Sequence, residues 1–158
     1  MVIVIGSDRA GYHLKVECAE FLKELGHEVI DVGSNSEDHD MVFPDVAKAL
    51  CPYILEKRAQ RGIVFCGTGV GIAVACNKIP GIRASVVHDI QTAHQCVEHD
   101  DVQVMCIGEK IVGSWLAKDL IPAFLAAKLD PNPRFRQMVD LLEEMDGSLK
   151  KQANSEEK

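Results

Sequence analysis

The densest concentration of chemistry-bearing residues in this 158-residue chain is the run Cys66-Gly67-Thr68-Gly69-Val70-Gly71. Three glycines in five residues let a backbone come close to a ligand, and a helix starting inside the run offers unpaired N–H groups to an anion. A thiol beside a helix N-terminus has its thiolate favoured, which makes it available as a base or a nucleophile. The competing reading is that Cys66 is one more small buried side chain. The run is not a P-loop, because no Gly-Lys-Ser/Thr follows, and its glycines lack the dinucleotide-binding spacing.

Other candidates are spread along the chain. His99, in Glu98-His99-Asp100-Asp101, is either a surface group at a helix C-terminus or an acid/base facing a cleft. His88, His94, Cys96 and His99 match no familiar zinc spacing, so no metal is expected. Arg134 and Arg136 open a helix, where cations oppose the helix dipole; they are either a solvated basic turn or face an anion. Asp8 and Arg9 are either a plain surface turn or part of the site.

The elements that must position these groups follow from hydrophobic patterning. Val2-Ile3-Val4-Ile5 is a continuous β-branched run ended by Gly6-Ser7-Asp8, the signature of a strand buried on both faces. Leu14, Cys18, Phe21, Leu22 and Leu25 recur at helical spacing before Gly26. The alternation continues with strands at 28–32, 62–66, 82–87 and 102–107. Between and after them come helices at 44–58, up to 78, 90–98, 112–128 with an interruption near Pro122, and 134–145. Strict alternation predicts an α/β fold: a three-layer, doubly wound, Rossmann-like five-stranded parallel sheet in a single domain, with ligands at the carboxyl ends of its strands. Those ends are Ser7-Asp8-Arg9, Cys66-Gly67-Thr68-Gly69, His88-Asp89 and Gly108-Glu109-Lys110. The domain is expected to span 1–147, with a flexible polar tail over 148–158.

Composition bounds the rest. Hydrophobic residues at 47% and charged residues at 26% are an ordinary globular mixture, so disorder and collagen-like repeats are excluded. The net charge of −7 argues against nucleic acid as a partner. No stretch is long and apolar enough for a membrane-spanning helix, and the first six residues lack the features of a signal peptide, so a cytoplasmic protein is expected. Six cysteines without a CxxC pair read as reduced thiols, five of them simply buried.

Three motifs carry a resemblance: Gly6-Ser7-Asp8-Arg9-Ala10-Gly11-Tyr12-His13-Leu14-Lys15, Cys66-Gly67-Thr68-Gly69-Val70-Gly71-Ile72, and Asn77-Lys78-Ile79-Pro80-Gly81-Ile82-Arg83-Ala84. In order and spacing, from residue 2 to about 145, they resemble the type B ribose-5-phosphate isomerases, a family that includes the galactose-6-phosphate isomerase subunits. The resemblance implies a metal-free, cofactor-free aldose–ketose isomerase working through a cis-enediol on a small sugar phosphate, best matched by ribose 5-phosphate. It also implies a homodimer, or a tetramer, whose active sites are built from two subunits. By position, Cys66 corresponds to the base, Thr68 to an assisting hydroxyl, and the N–H groups of Gly67, Gly69, Val70 and Gly71 to an enediolate cradle. His99 corresponds to the residue that opens the cyclic sugar, with Asp8 assisting. Arg134 and Lys110 correspond to phosphate ligands.

Four positions depart from the family pattern. Arg9 replaces a histidine, Asp100 replaces a substrate-touching asparagine, Phe43 replaces a phenol, and Arg134-Phe135-Arg136-Gln137-Met138 replaces Arg-His-x-x-Arg. The expectation is that Arg9 and Arg136 rebuild the anion site, in a cluster with Lys110 and Arg134. The alternatives are a tetrose, hexose, unphosphorylated or acidic sugar as substrate, or a catalytically silent sugar-phosphate-binding subunit.

Overall fold

The computed structural model describes residues 1–149. Strand β1 (Val2–Ser7) is followed by a 3-10 turn at Arg9–Gly11, helix α1 (Tyr12–Glu24), β2 (Glu28–Asp31) and α2 (Phe43–Leu55). Then come β3 (Arg61–Cys66), α3 (Val70–Asn77), β4 (Ala84–Val86), α4 (Ile90–Asp100), β5 (Val104–Gly108), α5 (Ser114–Ala126) and α6 (Pro133–Asp146). The strands form one parallel sheet in the order β2-β1-β3-β5-β4. The predicted α/β doubly wound architecture is the observed one.

Period-two alternation divides each strand between two faces. Ile3, Ile5, Ile63, Phe65, Met105 and Ile107 pack under α1, α4 and α5, whereas Val4, Val64, Cys66, Val104 and Cys106 pack under α2 and α3. Both faces are covered, which is why the strands read as unbroken apolar runs. Helix α6 stands outside these two layers, against α4 at the sheet's β4 edge. Only Val139 of α6 is buried.

Several local expectations are corrected. Helix α5 passes through Pro122 without a break. Proline's fixed φ is helical, and exposed Pro122 leaves the lost hydrogen bond on the solvent side. Helix α2 stops at Leu55, three residues early, where Lys57 turns to φ +57°. Helix α4 runs on to Asp100 and ends at Asp101, φ +47°, so His99 lies within its last turn rather than after it. Ser148 is buried and its hydroxyl donates to the Glu143 carbonyl, so the expected tail does not begin there. The remainder of that tail, 150–158, lies outside the described residues.

The loop between β2 and α2 is tied down by an uncommon device. Lys15 on α1 is 1% exposed, pairs with Asp31 at 2.8 Å and donates to the Ser34 carbonyl. A buried ammonium is tolerated only with such partners.

Candidate active site

Cys66 is the last residue of β3, in register with Gly108 of β5. It is 4% exposed, and its Sγ accepts the Gly69 N–H at 3.0 Å. That bond requires the chain to reverse within three residues, which Gly69 does at φ +79°. Gly108 must also be glycine, because a Cβ there would lie 2.6 Å from the Thr68 backbone. The loop is stitched to the end of β5 by Glu109 N–H to the Cys66 carbonyl, 2.9 Å, and Lys110 N–H to the Gly67 carbonyl, 3.0 Å. The Lys110 stem therefore runs over Gly67. Thr68 is exposed and its Oγ1 accepts the Val70 N–H at 3.4 Å, while the Phe43 ring closes over Gly71.

Asp8 follows β1 directly, beside this loop, its Oδ1 accepting the Gly11 N–H at 3.2 Å. Partial burial raises its pKa above 3.8 against the lowering effect of two backbone N–H groups, and Asp40 and Glu109 add to the rise. A carboxylate whose folded pKa is raised costs stability once it ionises, so the cost is absent below 3.8 and grows as pH rises through the folded value. Asp8→Asn is therefore expected to raise the melting temperature at pH 7 and leave it unchanged at pH 3; equal shifts at both pH values would refute the assignment.

Two residues whose roles sequence reasoning missed complete this end. His88 Nε2 accepts the Gly108 N–H at 2.8 Å, which requires it unprotonated, and burial lowers its pKa in the same sense. Glu109 accepts the Leu14 N–H at 3.0 Å and so ties the start of α1 to β5. The position of both at strand carboxyl ends was the available signal. Among the described residues no three His, Cys, Asp or Glu side chains converge as a metal site, and His94 is paired with Glu98 at 2.8 Å. The other five cysteines are buried, and burial pushes Cys18 up to about 12 and Cys96 up to about 11.

The second group of predicted residues lies elsewhere. Helix α4 runs antiparallel to the strands, so His99 and Asp100 sit at the amino ends of the sheet, with the start of α6. Strand β5 alone separates the two ends by about 13 Å. His99 stacks on Phe135, centroids 4.2 Å apart and rings 12° from parallel. Asn132 caps α6 by accepting the Arg134 N–H at 3.1 Å. Within one chain the expected cluster of Arg9, Lys110, Arg134 and Arg136 therefore does not form: two cations lie at each end.

Arg136 requires a further correction. It pairs with Asp140 at 2.8 Å and Glu143 at 3.5 Å, and lies 4.0 Å from Asp101, so carboxylates rather than an open anion site surround it. Arg9, Lys110 and Arg134 are exposed and not ion-paired among the described residues. Arg83 is the brace beneath Arg136. It is bound to Asp101 and Glu143 at 3.0 Å each and donates through Nε to the carbonyls of Asp100 and Asp101. Arg83→Met leaves Asp101 and Glu143 with only their longer contacts to the more exposed Arg136 and is expected to cost about 2 kcal/mol in urea unfolding; an unchanged midpoint would show the network to be energetically idle.

Comparison with known proteins gives a consistent picture. A family model described as Ribose/Galactose Isomerase matches residues 3–142. The ribose-5-phosphate isomerase B of Escherichia coli is 38% identical over 141 residues, covering 89% of this chain and 93% of that protein. The D-erythrulose-4-phosphate isomerase 2 of Mycolicibacterium smegmatis is 37% identical over 131 residues, covering 82% and 86%. The solved ribose-5-phosphate isomerase B of Clostridium thermocellum superposes with a TM-score of 0.89 at 39% identity, covering 93% of this chain and 98% of that one.

Proposed function

The chain belongs to the ribose/galactose isomerase family of sugar phosphate isomerases, and from that premise we propose that it interconverts ribose 5-phosphate and ribulose 5-phosphate with Cys66 as the base. The observation that carries this reading is the Cys66 loop: a nearly buried sulfur at a strand's carboxyl end, held by the Gly69 N–H and followed by a helix start whose N-cap, Gly69, has no side chain to cap it. Proton abstraction α to a carbonyl needs a base beside the carbon and fixed dipoles beside the oxygen that becomes negative.

In the open-chain aldose, the Cys66 thiolate removes the C2 proton. The C2–H electron pair becomes the C1=C2 bond, and the carbonyl electrons move onto O1, which faces the loop N–H groups of Gly67 and Gly71, while the Gly69 and Val70 N–H groups hold Cys66 Sγ and Thr68 Oγ1 in place. Thr68 assists as the O2–H proton passes to O1. The thiol then returns its proton to C1 as the enediolate collapses to the C2 ketone. Asp8 assists at the sugar hydroxyls, and Arg9 and Lys110 supply positive charge at the same end.

His99, Asp100 and Arg134 enter this site from a second copy of the chain. The reading is supported by their distance from Cys66 within one chain and by the apolar surface left uncovered on α3 and α6. Val70 and Val74 are each 55% exposed, and Met145 is 83% exposed. A symmetric pair would place the amino end of one sheet against the carboxyl end of the other. The small-molecule substrate needs neither metal nor cofactor, and the six free thiols suit a reducing, cytoplasmic setting.

A tetrose 4-phosphate is the second reading, favoured by near-equal identity to the Mycolicibacterium smegmatis relative. Both are tested by incubating the protein in deuterated water with ribose 5-phosphate, erythrose 4-phosphate and a hexose 6-phosphate, and following C2 deuteration and product formation. Conversion fastest with ribose 5-phosphate is the expected result. A faster tetrose reaction selects the second reading, and binding without exchange would make the protein a silent sugar-phosphate binder.

A further inference from the structure

We infer that Phe135 is a positioning residue for His99, holding the imidazole at the angle needed to open a cyclic sugar phosphate. The inference rests on the ring-opening role proposed for His99.

Three observations support it. The His99 and Phe135 rings are nearly parallel at 4.2 Å, a stacked arrangement rather than a glancing contact. Among the described residues no hydrogen bond is made by the His99 ring, so the stack is the directional contact that sets its orientation. The backbone that carries Phe135 is held in place. Its N–H donates to the Asn132 carbonyl at 3.0 Å in the capped first turn of α6, and the adjacent Arg136 reaches towards Asp101, one turn end away from His99. Arg83 clamps the same corner by binding Asp101 and Glu143 together. The stacked pair thus sits on a corner where α4 and α6 cannot slide independently.

Ring opening shows why orientation matters. The C1–O4 bond of the furanose breaks, O4 gains a proton, and O1–H loses one as the C1=O1 carbonyl forms. A single imidazole serving two oxygens in sequence has to face both, and a displacement of about 1 Å can cost 10²-fold. A histidine fixed on only one face keeps both ring nitrogens free for that exchange.

The test uses a chemical difference between substrates. Ribose 5-phosphate closes a furanose through O4, whereas erythrose 4-phosphate carries its phosphate on that oxygen and cannot form the ring. Phe135→Leu is expected to lower kcat/KM for ribose 5-phosphate at least about tenfold more than for erythrose 4-phosphate, and Phe135→Tyr, which restores an aromatic face, to recover most of the loss. Equal losses on the two substrates would overturn the proposal, since a merely structural role does not distinguish them.

A measurement on the intact protein that does not depend on turnover accompanies the kinetics. The His99 ring proton resonances should be shifted upfield by the Phe135 ring current in the native protein and in Phe135→Tyr. In Phe135→Leu they should lose that shift, and ring relaxation should report a more mobile imidazole. Unchanged His99 ring order in Phe135→Leu would overturn the inference. If the native protein converts neither sugar, the isomerase reading fails while the resonance data still decide whether Phe135 holds His99; if it converts only one, they decide as well.

Discussion

Cys66→Ala is expected to reduce kcat/KM by at least about 10³-fold, the scale of losing the group that transfers the proton. Cys66→Ser should be almost as inactive, because a hydroxyl can still accept the Gly69 N–H but is a far weaker base. The fold should persist in both. Cys66 is buried at the end of its strand, and removing one sulfur there costs only about 1 kcal/mol, so the melting temperature should fall by a few degrees at most. Circular dichroism and thermal melts establish the fold, and C2–H exchange establishes the chemistry. Retention of a tenth or more of native activity in Cys66→Ala would remove Cys66 from the mechanism.

Mixing two inactive variants is expected to restore activity. Because Cys66 and His99 lie at opposite ends of one sheet, the proposed arrangement has each active site of a symmetric pair take Cys66 from one copy and His99 from the other. Cys66→Ala and His99→Ala should each be nearly inactive alone. A mixed pair contains one site with both residues intact and one with neither. Co-expression in equal amounts gives half mixed pairs, so about a quarter of native activity should return. If both groups acted within one chain, every site in every pair would lack one of them, and the co-expressed sample would stay as inactive as its parents. The assay needs only differently tagged chains, tandem purification of the mixed species and the isomerase reaction.

Much of this was legible in the linear chain because the relevant physics is local. A strand covered on both faces has to be a continuous β-branched run, so Val2–Ile5 and Ile63–Phe65 declared themselves. A chain reversal at the end of such a strand needs glycine, so Gly67, Gly69 and Gly71 marked the loop. The separation of His99 from Cys66 was partly legible too: His99 lies ten residues beyond Asp89, roughly 15 Å along a helix that starts at a carboxyl end. The helix-terminus reading of His99 matches its place in the last turn of α4.

What local patterning could not reach were contacts made between elements distant in sequence. The insertion of β5 between β3 and β4 depends on how two crossovers pack, not on either strand's composition. Arg136 looked like an anion ligand because cations are unfavourable at a helix start; its real partners include Asp101 and Glu143, brought together by the crossing of α4 and α6. The Phe135 stack on His99 arises at the same crossing, across 36 positions of chain.

The amino-acid sequence alone determined the strands, the glycine loop and the thiol at its mouth, because periodicity, chain reversal and side-chain chemistry are properties of short segments. The tertiary structure alone decided which candidate groups share an end of the sheet, because helix direction and the α4–α6 packing place Cys66 and His99 apart, the separation from which the proposed two-copy site follows.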